Sequence, residues 1–258
     1  MKILVAVLTC TKETHCKRAD AQRDTWVPAL RAMGIDVVFF VGGGDSNGEI
    51  YGDTVCFPVD DSYRGIPRKL QFICSWAHER NYDYMLKVDD DTYIVPQRFQ
   101  WLDLDGRDYV GRFRTPYGNK PVWFASGFAY WLSRHACHVV ACTPWNGDWM
   151  DERFVATALA HQDIWGCTDT QNYMVTGPHF SPMDVAANKD LNKGTVYCEY
   201  SAKNIRACHE AFKDLQPVWP TTKLQPVPPV FVDAVMLHEP VQDTVPQGKI
   251  DKWKTLLP

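Results

Sequence analysis

Leu86-Lys87-Val88-Asp89-Asp90-Asp91-Thr92-Tyr93 is an apolar run that ends abruptly on three consecutive carboxylates. Tyr84 to Val88 reads as a buried strand, and in an open α/β sheet ligands bind beyond the carboxyl ends of the strands. Three adjacent carboxylates repel one another and call for a neutralising partner. A hard divalent cation, Mn²⁺ or Mg²⁺, suits such oxygen ligands and commonly shares them with a diphosphate. A solvated acidic turn capping the next helix carries the same letters. The position directly after a buried strand favours the metal.

Outward from this triplet, the first half alternates strands and helices, the pattern of an α/β domain with a largely parallel sheet. Ile3 to Leu8, Val37 to Val41 and Val55 to Phe57 read as strands. The segment through Arg18, Arg23, Trp26 and Leu30 reads as one helix ending near Gly34, and Ile66 to Asn81 as another. Further strands are expected at Tyr109 to Gly111 and Val122 to Phe124, and helices at Ser133 to Cys142 and Asp151 to His161. Eight of the 17 prolines fall between Pro217 and Pro258, which predicts an extended wrap with one strand, Val230 to Leu237. Without a repeat or a linker, one domain over 1–258 is expected. Its parts are expected at 1–95, 96–216 and, as the C-terminal wrap, 217–258.

Composition narrows the class. The 258 residues are 45% hydrophobic and 22% charged with a net charge of -4, and include 10 Trp, 11 Tyr and 12 Phe, too many aromatics for a disordered chain or a coiled coil. No apolar stretch reaches membrane-spanning length. Met1 runs into the first strand without a leader pattern. Nine cysteines without Cys-x-x-Cys spacing, and no Asn-x-Ser/Thr site, predict buried free thiols in a cytoplasmic protein. The mild acidity speaks against a general nucleic-acid coat.

Lys87-Val88-Asp89-Asp90-Asp91-Thr92-Tyr93 resembles the metal-binding Asp-x-Asp region of glycosyltransferase family 31. That family holds the β-1,3-galactosyltransferases, core 1 galactosyltransferase and Fringe, on the GT-A fold. Further segments are similar in the same order. They are Arg23-Asp24-Thr25-Trp26, Lys69, Ser126-Gly127-Phe128-Ala129-Tyr130-Trp131-Leu132-Ser133, Asp151-Glu152-Arg153-Phe154-Val155 and Val235-Met236-Leu237-His238. The resemblance implies an α/β GT-A fold and inverting transfer of a sugar from a UDP-sugar to an acceptor hydroxyl, with Mn²⁺ or Mg²⁺.

It also implies roles. Asp91 becomes the direct metal ligand, with Asp89 shared between metal and ribose and Asp90 supporting. His238 becomes the remaining protein ligand, with His179 as its rival. Glu152 stands where the family usually has an Asp base, and Asp151 is the neighbouring alternative. Leu8, Thr9 and Thr11 fall at the nucleotide. Arg23 is left open between the nucleotide and a carboxylate, and Lys69 between a carboxylate and a phosphate.

The basic, aromatic stretch from Arg112 to Lys120 suits either a glycan or a nucleic-acid acceptor such as a hydroxymethylated base. Trp145, Trp149 and Trp165 flank the expected base and suit either a sugar platform or the core. Animal members of the family are anchored in the Golgi. The lack of an anchor here predicts a soluble bacterial or viral relative, with modification of phage DNA among its uses. A nucleotidyltransferase and a non-catalytic sugar- or nucleotide-binding module are the competing functions. The oligomeric state is not legible.

Overall fold

Uninterrupted apolar runs form the centre of the sheet, because parallel strands are buried on both faces. β1 (Ile3–Leu8) pairs in parallel with β2 (Asp36–Val41) on one side and with β5 (Tyr84–Asp89) on the other. This computed structural model describes residues 1–45, 48–99, 104, 106–114, 123–168, 173–174, 196–198, 200–214 and 225–226. The expected strand Val230 to Leu237, His238, His179, Val122, residues 115–120 and most of the proline-rich C-terminal stretch lie outside the described residues.

The remaining strands are β3 (Glu49–Tyr51), β4 (Thr54–Cys56), β6 (Tyr93–Ile94), β7 (Tyr109–Arg114), β8 (Phe124–Ser133), β9 (Cys167–Thr168), β10 (Tyr173–Met174), β11 (Val196–Tyr197) and β12 (Gln225–Pro226). Nine of the twelve strands among the described residues form one sheet in the order β12-β9-β7-β8-β5-β1-β2-β4-β3. β10, β11 and β6 form a second, small sheet. The β5-β1-β2-β4 side of the main sheet is parallel. β8 pairs antiparallel with both β5 and β7, whereas β7 pairs in parallel with β9, so the sheet is mixed beyond its parallel N-terminal part.

Helices cover both faces. On one face α1 (Glu13–Asp24), α2 (Trp26–Ala32) and the late helix Ala202–Phe212 bury Trp26, Leu30, Ile205 and Phe212. On the other, α3 (Ile66–Glu79), α5 (Arg134–Cys142) and α6 (Asp151–Ala160) bury Leu70, Ile73, Val140 and Phe154. α4 (Pro96–Phe99) is a single turn, and Ala202–Phe212 is α7.

Two sequence expectations are corrected. The single helix through Arg18 and Leu30 is two helices, broken at Thr25 (φ −118°, ψ −94°). Pro28 is the cause: in a continuous helix its ring would meet the carbonyl of Asp24, whereas in the first turn of α2 its missing N–H has no partner to lose. The strand expected to end at Phe124 instead runs from Phe124 to Ser133 as the ten-residue β8, taking in the small-residue segment from Ser126. Its small residues mask a strand that is buried almost throughout. All nine cysteines are free, and six are buried.

Candidate active site

The register that places Leu8 opposite Asp89 brings the carboxyl ends of β1 and β5 together. The chain then turns sharply, with the Thr92 N–H donating to the Asp89 carbonyl at 3.2 Å. Helices α1 and α2 hold this turn from behind. The Gln22 amide donates to the carbonyls of Asp89 (3.1 Å) and Thr92 (2.7 Å), and the Trp26 indole N–H reaches the Thr92 carbonyl at 3.3 Å.

The three carboxylates of the turn separate into different environments. Asp90 points inward, its side chain 5% exposed. It accepts from the Thr9 hydroxyl at 2.7 Å, pairs with His15 Nδ1 at 2.7 Å and faces Arg18 at 3.5 Å. Asp90 is therefore a structural anchor between β1, the triplet and α1. Asp89 is 35% exposed and lines, with Asp91, Leu8, Thr9 and Lys69, a cleft of about 210 Å³. Asp90 lines this cleft too, but its carboxylate is already bonded to Thr9, His15 and Arg18. Among the described residues, no group of three His, Cys, Asp or Glu side chains is placed to hold a metal. The expected third ligand, His238, lies outside them.

Two buried lysines organise the cleft. Lys69 Nζ, 1% exposed, donates to the Thr9 carbonyl at 2.7 Å and pairs with Asp61 at 2.6 Å. Asp61 also accepts from the Thr11 N–H and hydroxyl, both at 2.9 Å, and from the Gly42 N–H at 2.8 Å. Lys69 thus takes a carboxylate partner, and Thr11 acts on the cleft through Asp61. Arg23 also takes a carboxylate. It binds Asp53 at 2.9–3.2 Å and Thr54 at 2.9 Å, and it covers the Phe39 ring at 3.9 Å. It does not line the cleft, because Asp53 and Thr54 hold its guanidinium on the β4 side of the sheet.

Lys87, also 1% exposed, stands in the middle of buried β5. Its ammonium donates to Asp89 at 2.7 Å and to the Gly127 carbonyl, and lies 3.1 Å from Asp151. Asp151 also accepts from the Tyr130 hydroxyl at 3.0 Å. Burial works against its charge, but Lys87 and hydrogen bonds from Glu152 and Tyr130 hold its carboxyl below the usual range. Glu152 behaves in the opposite way. Burial first, and then the negative Asp151, push its carboxyl up to about 8. Asp89 is pushed up to about 7, mainly by burial and then by Asp91 and Asp151, against the pull of Lys87. The two adjacent carboxyls are thus shifted in opposite directions, Asp151 down and Glu152 up. Gly127 leaves room for it, since a Cβ there would stand 3.1 Å from Glu152 Oε2.

Several cleft residues escape the sequence reading. Lys12, His15 and Arg18 line its α1 wall, and Tyr63 and Ser62 its rim. The signal for Lys87 was in plain view, a lysine inside a strand otherwise apolar. His15 and Arg18 carry only the weaker signal of i, i+3 spacing on a polar helix. Of the three tryptophans flanking Glu152, Trp145 packs against the core with its indole bonded to the Asp148 carbonyl (2.8 Å), whereas Trp149 and Trp165 are exposed.

Residues 17–108, from α1 past the triplet, match the Galactosyltransferase family model. The chain is similar to the UDP-GalNAc:beta-1,3-N-acetylgalactosaminyltransferase 2 of Mus musculus, at 28% identity over 174 residues, which are 56% of this chain and 34% of the mouse protein. The Homo sapiens protein of the same name is 28% identical over 166 residues, 53% of this chain and 33% of its own length. The chain spans about a third of the length of these curated relatives. A solved structure, that of a glycosyltransferase involved in the glycosylation of the major capsid of PBCV-1, matches with a TM-score of 0.52 and 12% identity. The match covers 81% of this chain and 99% of that one. No helix among the described residues is long and apolar enough to cross a membrane. The fold expected from the sequence, a GT-A-like α/β sheet flanked by helices, is the fold of this chain.

Proposed function

We propose that this chain is a metal-dependent, inverting glycosyltransferase that moves a sugar from a UDP-sugar to an acceptor hydroxyl, working as one catalytic domain. The observation that carries the reading is the buried Lys87 ammonium, which joins Asp89 at the cleft to the Asp151–Glu152 carboxyl pair. Sugar transfer needs a place for a leaving diphosphate and a base for the incoming hydroxyl, held in fixed relation. Asp89 and Asp91 supply a hard-oxygen donor set that fits Mn²⁺ or Mg²⁺, with His238 as the further protein ligand. The raised Asp89 carboxyl, burdened by Asp91, is the kind of site that a bound cation relieves. A metal there neutralises charge on the diphosphate as a Lewis acid.

Leu8 and Thr9 border the nucleotide, and Lys69 fixes the β1 end through the Thr9 carbonyl and Asp61. Glu152 takes the acceptor proton, and Asp151, already committed to Lys87 and Tyr130, holds the local charge. The UDP donor is supported by the named activity of the mouse and human relatives. Incubation with Mn²⁺ and a panel of UDP-sugars, UDP-GalNAc and UDP-galactose first, tests it by UDP release with glycan and hydroxymethylated-DNA acceptors in turn. Acceptor-dependent UDP release is expected. Conversion of UTP and a sugar phosphate to pyrophosphate would make it a nucleotidyltransferase, and UDP binding without turnover a binding module.

A further inference from the structure

Two exposed aromatic rings meet at the rim of the cleft. Tyr63 is 64% exposed and Trp149 50%, yet their ring centroids lie 5.8 Å apart with the planes at 45°. They come from separate segments: Tyr63 opens the 3-10 turn Tyr63–Gly65 ahead of α3, and Trp149 lies just before α6. Each is presented by a hydrogen-bonded turn. Asp60 accepts from the Ser62 N–H (3.1 Å) and hydroxyl, and the Gly65 N–H reaches the Ser62 carbonyl at 3.0 Å. On the other side, the Asp148 carboxylate accepts from the Met150 N–H at 3.2 Å and pairs with the Arg153 guanidinium. Trp149 is thus bracketed by anchored neighbours. Large rings held outward in fixed positions lose little freedom on binding a ligand.

The pair adjoins the site groups. Tyr63 lines the same cleft as Asp89 and Asp91. Its phenol is raised first by burial and then by the negative charge of Glu152, Asp151 and Asp89, which places it within their field. Trp149 directly precedes Met150 and the Asp151-Glu152 pair. That field decides what stacks there. A phosphodiester backbone needs cationic contacts to bind, and the cations of the cleft, Lys12, His15 and Arg18, line its α1 wall, whereas the rings lie by Asp151 and Glu152. A neutral pyranose offers an apolar C–H face to the rings and hydroxyls to the carboxyls.

We propose that Tyr63 and Trp149 form the platform that seats the terminal pyranose of a neutral glycan acceptor beside Glu152. The proposal rests on the transfer reading above, and its test does not require turnover. Saturation-transfer NMR is recorded with methyl β-pyranosides of galactose, glucose, N-acetylgalactosamine and N-acetylglucosamine, with and without UDP and Mn²⁺. The proteins are wild type, Tyr63→Ala, Trp149→Ala, Tyr63→Phe and Trp149→Phe. At least one pyranoside binds wild type and both Phe variants, and its affinity falls at least tenfold in the Ala variants while their unfolding midpoints are retained. Unchanged affinity in the Ala variants, or no pyranoside bound by wild type, overturns the platform. So does ring-dependent binding of a 5-hydroxymethylcytosine oligonucleotide in place of the sugars. Ring-dependent pyranoside binding in a protein that transfers no sugar upholds the platform and sinks the transfer reading.

Discussion

Lys87 Nζ lies 3.1 Å from Asp151 Oδ2 at the sheet end where β5 meets β8 and α6. The same ammonium holds Asp89, so one buried cation sets the spacing between the cleft and the candidate base. Lys87→Met leaves two carboxylates without their shared partner. Removing one member of a buried ion pair costs about 3–5 kcal/mol, and that loss is expected in urea unfolding at pH 7.5. The deficit should shrink below pH 5 as the carboxylates protonate. An unchanged unfolding midpoint at pH 7.5 would show that Lys87 is not the organising charge.

As the proposed base, Glu152 should make activity and stability depend on pH in opposite directions. Its carboxyl is raised from an ordinary 4.5 to about 8. The folded chain therefore holds a proton that the unfolded chain has lost between those values. The associated stability is fully present below the ordinary value and disappears as the pH rises through about 8. The melting temperature of wild type minus that of Glu152→Gln should fall from pH 5 to pH 9. A base must be deprotonated, so kcat/KM should rise with pH to a plateau above about 8. The acidic limb should be missing from the residual activity of Glu152→Gln, with turnover lowered by roughly 10²–10⁴.

Asp90 and Asp91 are neighbours with different expected phenotypes. Asp90→Asn weakens the bonds to Thr9, His15 and Arg18 and should lower stability by about 2 kcal/mol, with UDP affinity in Mn²⁺ changed little. Asp91→Asn should lower Mn²⁺-dependent UDP affinity at least tenfold with little change in stability. Titration calorimetry together with thermal melts separates the two, and a reversed pattern would exchange their roles.

Gly127→Ala tests the placement of Glu152. The added Cβ would stand 3.1 Å from Oε2 and 3.2 Å from Cδ, so the carboxyl must shift. Small misplacements of reacting groups are costly, and kcat should fall about tenfold, within the 10²-fold that such a shift can cause. UDP affinity is expected to persist. Wild-type kcat in this variant would remove Glu152 from its assigned place.

Much of the fold was legible because β1 and β2 are apolar runs, β5 is apolar but for Lys87, and the triplet stands at its end. The break at Thr25 was hidden by helical periodicity running through both halves, and only Pro28 marks it. β8 was hidden by Ser126, Gly127 and Ala129, small residues that pack closely without the look of a strand. Within the site, the triplet and the Asp151-Glu152 pair stand out locally. Their connection through Lys87, the burial of Asp90 by Thr9, His15 and Arg18, and the meeting of Tyr63 with Trp149 join residues distant in sequence. Periodicity and local motifs do not report such contacts; they follow from strand register and helix placement.

The most direct test of the central claim is proton NMR of the anomeric signals during reaction of a UDP-α-sugar with Mn²⁺ and a glycan acceptor, for wild type and Glu152→Gln. The account predicts a β-linked product from wild type, loss of that product on chelation of the metal, and little or none from the variant. An α-linked product, free sugar alone, or equal product from Glu152→Gln would contradict it.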